Sequence, residues 1–457
     1  LWNGYEIRIF KDRLGVSLSE KLIEKDYFCL YEFDLWLFEN IFLFERAFFF
    51  DLVMGDLKMD NISVLVCDDS ALMRNVISRV IDNTPGMKVI DKAMNGQFLI
   101  SKLEYTKPDV IILDIEMPVM TGIEYLRYRK EHGPDIPVII LSSIAEKGAA
   151  VTMEALELGA CDFITKPNGS VSVDINSVAD RLIEMIASYG GAQARFNGKN
   201  VYSTDYYIRL NSERAIERKL HEALGDKAKD VVIPPPKPIP KDFETFIPRE
   251  KKNIVAITPL HAPGKIKLIA IGISTGGPNA LREVFANINP GVRQPIMVVQ
   301  HMPAGFTKEF AASLDRICPL SVKEAEDKDV LEEGHVYIAP GDFHIVVENN
   351  GFGKYQIRTN RLPQRNGHRP SADVMFESVA KVFKYNALGV IMTGMGKDGA
   401  VELAEMRKQG AWTLGQDEKS AIVYGMPRVA WELGAVQKQV ALDKMAEEIS
   451  SLAMANY

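Results

Sequence analysis

From Ile62 to the C-terminus, short apolar runs alternate with stretches patterned for helices, and the alternation occurs twice, on either side of a proline run. Strands buried on both faces read as near-continuous apolar runs, which is what a parallel sheet covered by helices requires. In the first half the runs predict strands over 62–67, 87–90, 110–113, 138–141 and 161–164. Helices are predicted between and after them, over 71–81, 97–105, 122–131, 149–158 and 175–189. In the second half, strands are expected over 267–271, 296–300, 335–338, 344–347 and 389–393, and helices over 280–286, 371–383 and 399–409. A hairpin-like insertion is expected at 346–358.

A chain of 457 residues is too long for one ordinary core. The expected fold is α/β, with two doubly wound parallel-sheet domains, one flavodoxin-like over 59–189 and one Rossmann-like over 265–457. Residues 190–264 read as the linker: composition shifts to Gly, Asn, Ser and Lys after Tyr189, a charged helical piece follows near 212–224, and a proline run extends from Pro234 to Pro240. Such a run favours extended polyproline and continues neither a helix nor a central strand. Residues 1–58 show no clean period and carry no assigned chemistry. The expectation is that Met54 or Met59 is the native start and that 1–58 is an extension.

Apolar residues at 47% and charged residues at 25% suit soluble cores, while a net charge of -7 gives no general attraction to nucleic acid or anionic lipid. The most apolar stretch, 35–54, is interrupted by Glu39, Asn40, Glu45, Arg46 and Asp51, so no membrane span is expected. Cys29, Cys67, Cys161 and Cys318 are scattered, with no CxxC pair. That excludes a zinc knuckle or a disulfide framework and points to a cytoplasmic location.

In an open parallel sheet, ligands bind beyond the carboxyl ends of the strands. In the first half, those positions hold Asp68 and Asp69, Asp114, Ser142 and Lys166. Clustered carboxylates suit a hard cation such as Mg²⁺, and a carboxylate can act as nucleophile towards a phosphoryl group. Asp114 closes the central strand and is the candidate phospho-acceptor. The Asp68-Asp69 pair, the run from Leu113 to Pro118, the Ser142-Ser143 pair and Lys166-Pro167 resemble the receiver domain of bacterial response regulators. That resemblance implies Mg²⁺ bound by Asp69 and Asp114, with Asp68 acting through water and the Glu116 carbonyl completing the set. It also implies Ser142 as switch hydroxyl and Phe163 as switch aromatic. Taken singly, Asp and Ser at strand ends are also common as helix caps and turn formers, but five matching residues at strand ends argue against that reading.

In the second half, Gly272-x-Ser274-x-Gly276 follows an apolar strand and opens a helix, the spacing that exposes a serine on a sharp turn. A serine needs a base. Of the seven histidines, His301 directly follows the strand at 296–300, and His368 is its rival in the polar loop Gly367 to Asp373. An orienting acid is available at a third strand end as Asp398, whose plainer reading is the cap of the next helix. The order Ser, His, Asp differs from the usual α/β-hydrolase order.

The stretches from Ile273 to Pro278, Gln300 to Pro303, His368 to Asp373 and Thr393 to Gly399 look like the chemotaxis protein-glutamate methylesterase family. The resemblance implies Ser274, His301 and Asp398 as a catalytic triad, and demethylation of methyl-glutamate together with deamidation of glutamine on chemoreceptors. It further implies a chemotaxis histidine kinase as phosphodonor and gating by the first domain. Lys397 stands where that family often has Asn. Thr275, Met395 and His368 are candidate oxyanion or cleft residues. Two other readings remain: a regulator whose second domain only binds a protein, and a nucleotide-dependent enzyme using Gly272 to Gly277.

Overall fold

The computed structural model describes residues 59–142, 146–166, 172–224 and 257–457. The expected extension at 1–58, the proline run, Ser143 and Pro167 lie outside the described residues. From Met59 onward the described residues pack as one compact unit.

The first sheet has the all-parallel order β2-β1-β3-β4-β5, built from β1 (Ile62–Cys67), β2 (Met87–Ala93), β3 (Val110–Asp114), β4 (Val138–Ser142) and β5 (Asp162–Thr165). β3 and β4 are buried along their whole length, because helices cover both faces. Those helices are α1 (Ala71–Asp82), α2 (Gly96–Leu103), α3 (Gly122–His132), α4 (Glu146–Glu157) and α5 (Ser172–Met185). Local capping starts them: the Ser70 side chain accepts from Met73 N, and Thr121 with Glu124 forms a reciprocal capping box on α3.

The stretch expected to begin the linker is instead part of the first domain. After α5 come a π-helical turn (Ile186–Gly190), α6 (Gly191–Phe196) and α7 (Thr204–Leu224), which starts well before the expected 212. Ala194, Val201, Tyr206, Tyr207 and Leu210 share a core with Ile62, Val110 and Ile112. The polar composition that reads as a linker holds this segment in place: Lys199 Nζ lies 2.6 Å from the buried Asp109 carboxylate and 2.9 Å from Ser63 Oγ. Asn197 donates to the same aspartate.

The second sheet is a seven-stranded parallel sheet in the order β14-β13-β12-β6-β7-β9-β8. Its strands are β6 (Leu268–Ile273), β7 (Ile296–Gln300), β8 (Ser321–Glu324), β9 (His335–Ile338), β12 (Ala387–Ile391), β13 (Trp412–Gln416) and β14 (Lys438–Val440). β10 (His344–Asn349) and β11 (Tyr355–Asn360) form a separate antiparallel ribbon, so the run at 344 belongs to the insertion and not to the sheet. β8, β13 and β14 are not among the strands expected from the sequence: β8 and β14 are short edge strands with mixed polarity, and β13, though interior and buried, is a short run interrupted by Thr413, Gly415 and Gln416. The helices are α8 (Gly277–Asn287), α9 (Phe306–Asp315), α10 (Ala372–Phe383), α11 (Ala400–Gln409), α12 (Met426–Glu432) and α13 (Leu442–Ala455). From β6 the chain passes to β7 on one side and later returns to β12 on the other, which makes β6 the switch point where a ligand crevice forms.

The two sheets share one apolar cluster. At their junction the Phe163 and Phe306 rings stack with centroids 4.8 Å apart.

Candidate functional site

The first set of strand-end residues converges. Asp68, Asp69 and Asp114 each offer a carboxylate oxygen, and the three lie within 4.8 Å of one another. Lys166 Nζ sits 2.9 Å from Asp68 Oδ2 and 2.7 Å from Asp114 Oδ2. A cavity of about 230 Å³ is lined by Asp69, Asp114, Glu116, Ser142 and Lys166 among others. Burial pushes the Asp114 carboxyl up to about 6, against the opposing pull of the Lys166 ammonium. Ser142 Oγ lies 2.6 Å from Thr152 Oγ1, a partner not anticipated from sequence. Phe163 does not line this cavity; its buried ring belongs to the junction with Phe306. Three clustered carboxylates, two of them lining the cavity, with one ammonium beside them, fit a divalent cation and a phosphoryl group.

The second set converges as well. Ser274 follows β6 on a tight turn, and Gly276 caps α8 in the left-handed region at φ 78°. That conformation strains any other residue, and an added Cβ would also meet Ile422. Ser274 Oγ lies 3.0 Å from His301 Nδ1, and His301 Nε2 lies 2.8 Å from Asp398 Oδ2. All three residues are buried. The tautomer follows from the acceptor-only carboxylate: Nε2–H donates to Asp398, leaving the Nδ1 lone pair to accept from the serine hydroxyl. The ring thus uses its two nitrogens in the reverse sense to the familiar chymotrypsin arrangement.

Asp398 does not cap the helix that follows it, where Gly399 takes that position. It accepts instead from Ala372 N at 2.6 Å and Asp373 N at 3.3 Å, at the start of α10, and from Ser371 Oγ at 2.7 Å and Asn366 Nδ2 at 2.9 Å. Burial works to raise its pKa, but hydrogen bonds from His301, Ser371 and Asn366 overcome this and hold the carboxyl well below its ordinary range. Asn366 and Ser371 were not singled out in the sequence. The available signal was the Asn366-Gly367 turn dipeptide, both residues having positive φ.

Among the candidate cleft residues, His368 stacks on His301 with centroids 3.8 Å apart and planes 15° apart. Burial, with the neighbouring His301, lowers its pKa to about 3, so it stays neutral. Thr275 follows the serine at the turn. Gly394, the neighbour of Met395, packs directly on Ser274: a Cβ there would lie 2.8 Å from Ser274 Cβ. Lys397 is exposed beside Asp398.

The first domain reaches this site. Asp162, at the start of β5, is buried, and its Oδ2 accepts from Gly276 N at 3.1 Å, two residues from Ser274. Tyr189 OH donates to the same carboxylate at 3.2 Å. Asn279 Nδ2 donates to the carbonyls of Ala160 and Cys161, and Arg282 and Arg316 pair with Glu157.

Family models match two stretches: the response regulator receiver domain over residues 64–173 and CheB methylesterase over 269–449. A protein of Treponema denticola named protein-glutamate methylesterase/protein-glutamine glutaminase is 51% identical over 392 residues, which covers 86% of this chain and 98% of that protein. A Treponema pallidum protein of the same name is 47% identical, with 86% and 97% covered. The crystal structure of the Thermotoga maritima CheB methylesterase catalytic domain is 38% identical, spans 41% of this chain and 98% of that one, and has a TM-score of 0.40.

Proposed function

The chain belongs to the protein-glutamate methylesterase/protein-glutamine glutaminase family, and on that premise we propose that it is a phosphorylation-regulated serine hydrolase acting through Ser274, His301 and Asp398. The observation that carries this reading is the hydrogen-bonded chain from Ser274 through His301 to Asp398, in the segments that follow the neighbouring strands β6, β7 and β12.

In this mechanism, His301 Nδ1 takes the proton of Ser274 as Oγ attacks the carbonyl carbon of a glutamate γ-methyl ester on a chemoreceptor. Charge on the tetrahedral oxygen is met by backbone amides near Thr275 and Met395. The His301 proton passes to the leaving oxygen, releasing methanol and an acyl-serine. Water, deprotonated by His301, then attacks the acyl carbon, and as the Ser274 Oγ–acyl bond breaks the proton passes from His301 to Oγ, leaving a glutamate side chain and the free serine. With a glutamine side chain the same steps release ammonia. Asp398 keeps Nε2 protonated and stabilises the imidazolium. The hydrolysis as written uses only groups of this chain and water.

The receiver domain carries the regulation. Asp114 accepts the phosphoryl group from a chemotaxis histidine kinase. Mg²⁺, when bound, would be held by Asp69, Asp114, Asp68 through water and the Glu116 carbonyl, and would offset charge on the incoming group. Lys166 and Ser142 bind the phosphoryl oxygens in this reading, and Phe163, on the strand that also carries Asp162, would relay the change to the junction. Phosphorylation then shifts the population towards an arrangement in which the Asp162 contact is released. The reading includes a cytoplasmic location; separately, no helix among the described residues is long and apolar enough to cross a membrane.

The test is methanol release from methylated receptor, with and without phosphodonor. Wild type is expected to release methanol and to be stimulated, Ser274→Ala to release none, and Asp114→Asn to show basal release without stimulation. Release by Ser274→Ala at the wild-type rate would remove the catalytic assignment, and full stimulation of Asp114→Asn would remove the gating.

A further inference from the structure

Beside the Ser274 site lies a second cavity, of about 430 Å³, whose walls include His368, Lys397, Asp398, Arg428, Val429 and, from helix α7 of the first domain, Ile208. Asp398 and His368 form one of its walls, and both touch His301, so the cavity adjoins the triad on the side of its acid. It brings two cations, Lys397 and Arg428, to the edge of the site in a chain whose net charge is -7. The structure also shows what one of them binds: Arg428 Nη1 pairs with Asp205 Oδ2 of α7 at 2.5 Å. Asp205 and Ile208 are three residues apart and therefore share one face of α7. The helix laid over this cavity thus presents a carboxylate to Arg428 and an apolar side chain one turn later beside Val429.

We propose that Arg428, with Lys397, forms a subsite for a carboxylate on a helical substrate segment, and that Asp205 of α7 occupies it in the closed protein as a built-in competitor. The inference rests on the methylesterase reading and deepens it by naming the substrate's chemistry: an acidic, amphipathic helix carrying the reactive ester near a free carboxylate. When the first domain swings away, Asp205 leaves with it, and Arg428 becomes available to the substrate. A guanidinium suits this task because it stays charged and matches a carboxylate in shape. The pair is partly exposed, with side-chain accessibilities of 34% and 40%, so its contribution is moderate. Specificity, more than the chemical step, is what it sets.

The experiment uses the full chain and two helical peptides, each carrying one glutamate methyl ester. One has a free glutamate one turn away and the other a glutamine at that position. Methanol release is measured after treatment with a small phosphodonor. Wild type is expected to show a KM for the acidic peptide roughly fivefold lower than for the neutral one, with similar kcat. Arg428→Gln is expected to bring the two KM values together, and Arg428→Lys to retain part of the preference. In the unphosphorylated protein, Asp205→Asn is expected to lower KM for the acidic peptide. Equal KM values in wild type, or an undiminished preference in Arg428→Gln, would overturn the subsite. An Asp205→Asn protein with the wild-type KM would remove the competitor. Absence of methanol from both peptides with wild type would instead count against the methylesterase reading itself.

Discussion

Replacing Asp162 with Ala tests whether the first domain restrains the hydrolase through a single buried carboxylate. In the closed arrangement the substitution leaves the Gly276 amide without its 3.1 Å acceptor and the Tyr189 hydroxyl without one of its acceptors. A buried donor left unsatisfied costs about 1–3 kcal/mol, whereas in an open arrangement water satisfies the same amide. Burial also pushes the Asp162 carboxyl above its ordinary value, so the charge carries a cost of its own that its loss returns. We therefore take the lower part of the range, about 1.5 kcal/mol, which corresponds to roughly a tenfold gain in the open population. The assay is methanol release by the unphosphorylated protein, expected to rise about tenfold. The phosphodonor-treated rate, in which the contact is already released, is expected to stay near wild type. Asp162→Asn keeps a neutral acceptor and is expected to fall between the two. A folded Asp162→Ala protein with an unchanged basal rate and full stimulation would refute the reasoning, because the contact would then hold nothing closed.

Gly394→Ala would place a methyl group 2.8 Å from Ser274 Cβ and 2.4 Å from Met426 Sδ, so the serine or its support must move. A displacement near 1 Å costs on the order of 100-fold in rate, to be read as kcat for methanol release with the fold checked by circular dichroism. Asp398→Asn favours the wrong His301 tautomer and is expected to lower kcat by about 10⁴-fold. Because the Asp398 pKa is depressed on folding, its contribution to stability is present above its ordinary value of 3.8 and is lost as pH falls below it. The melting temperature of Asp398→Asn is accordingly expected to fall less steeply than wild type below about pH 4. Glu184 behaves in the opposite sense: burial raises it to about 7 from 4.5, so it favours folding below pH 4.5 and loses that contribution as pH rises through 7. Glu184→Gln keeps the acceptor for Asn211 and is expected to stabilise the first domain by up to about 3 kcal/mol at pH 8, with little effect at pH 4. Equal melting shifts at both pH values would argue against a buried charge.

Several features of the fold and of the candidate site were legible before any coordinates. The buried runs IIL and LIAIGI mark central parallel strands, and the crevice of such a sheet lies at the strands' carboxyl ends. Asp68, Asp69 and Asp114, and likewise Ser274 and His301, stand at the ends of apolar runs, and Asp398 lies in the glycine-rich turn beyond β12, so their meeting required only the correct neighbours. Elements without a strong pattern were not legible in this way. The edge strands β8 and β14 are too short and too polar, and residues 191–210 read as a linker because Asn197 and Lys199 are polar, although they are polar in order to bind Asp109.

The serine elbow and the aspartate cluster that characterise this chain were thus determined by local sequence, since residue type and period decide which segments are buried and which side chains stand at their ends. Tertiary structure alone decided which His301 nitrogen faces Ser274, that Asp398 caps α10 instead of the next helix, and that Asp162 and Asp205 reach across to Gly276 and Arg428. The physical reason is separation: Asp162 and Gly276 are 114 residues apart, and Asp205 and Arg428 are 223 apart. Contacts over such distances depend on how whole faces pack, which no local pattern records.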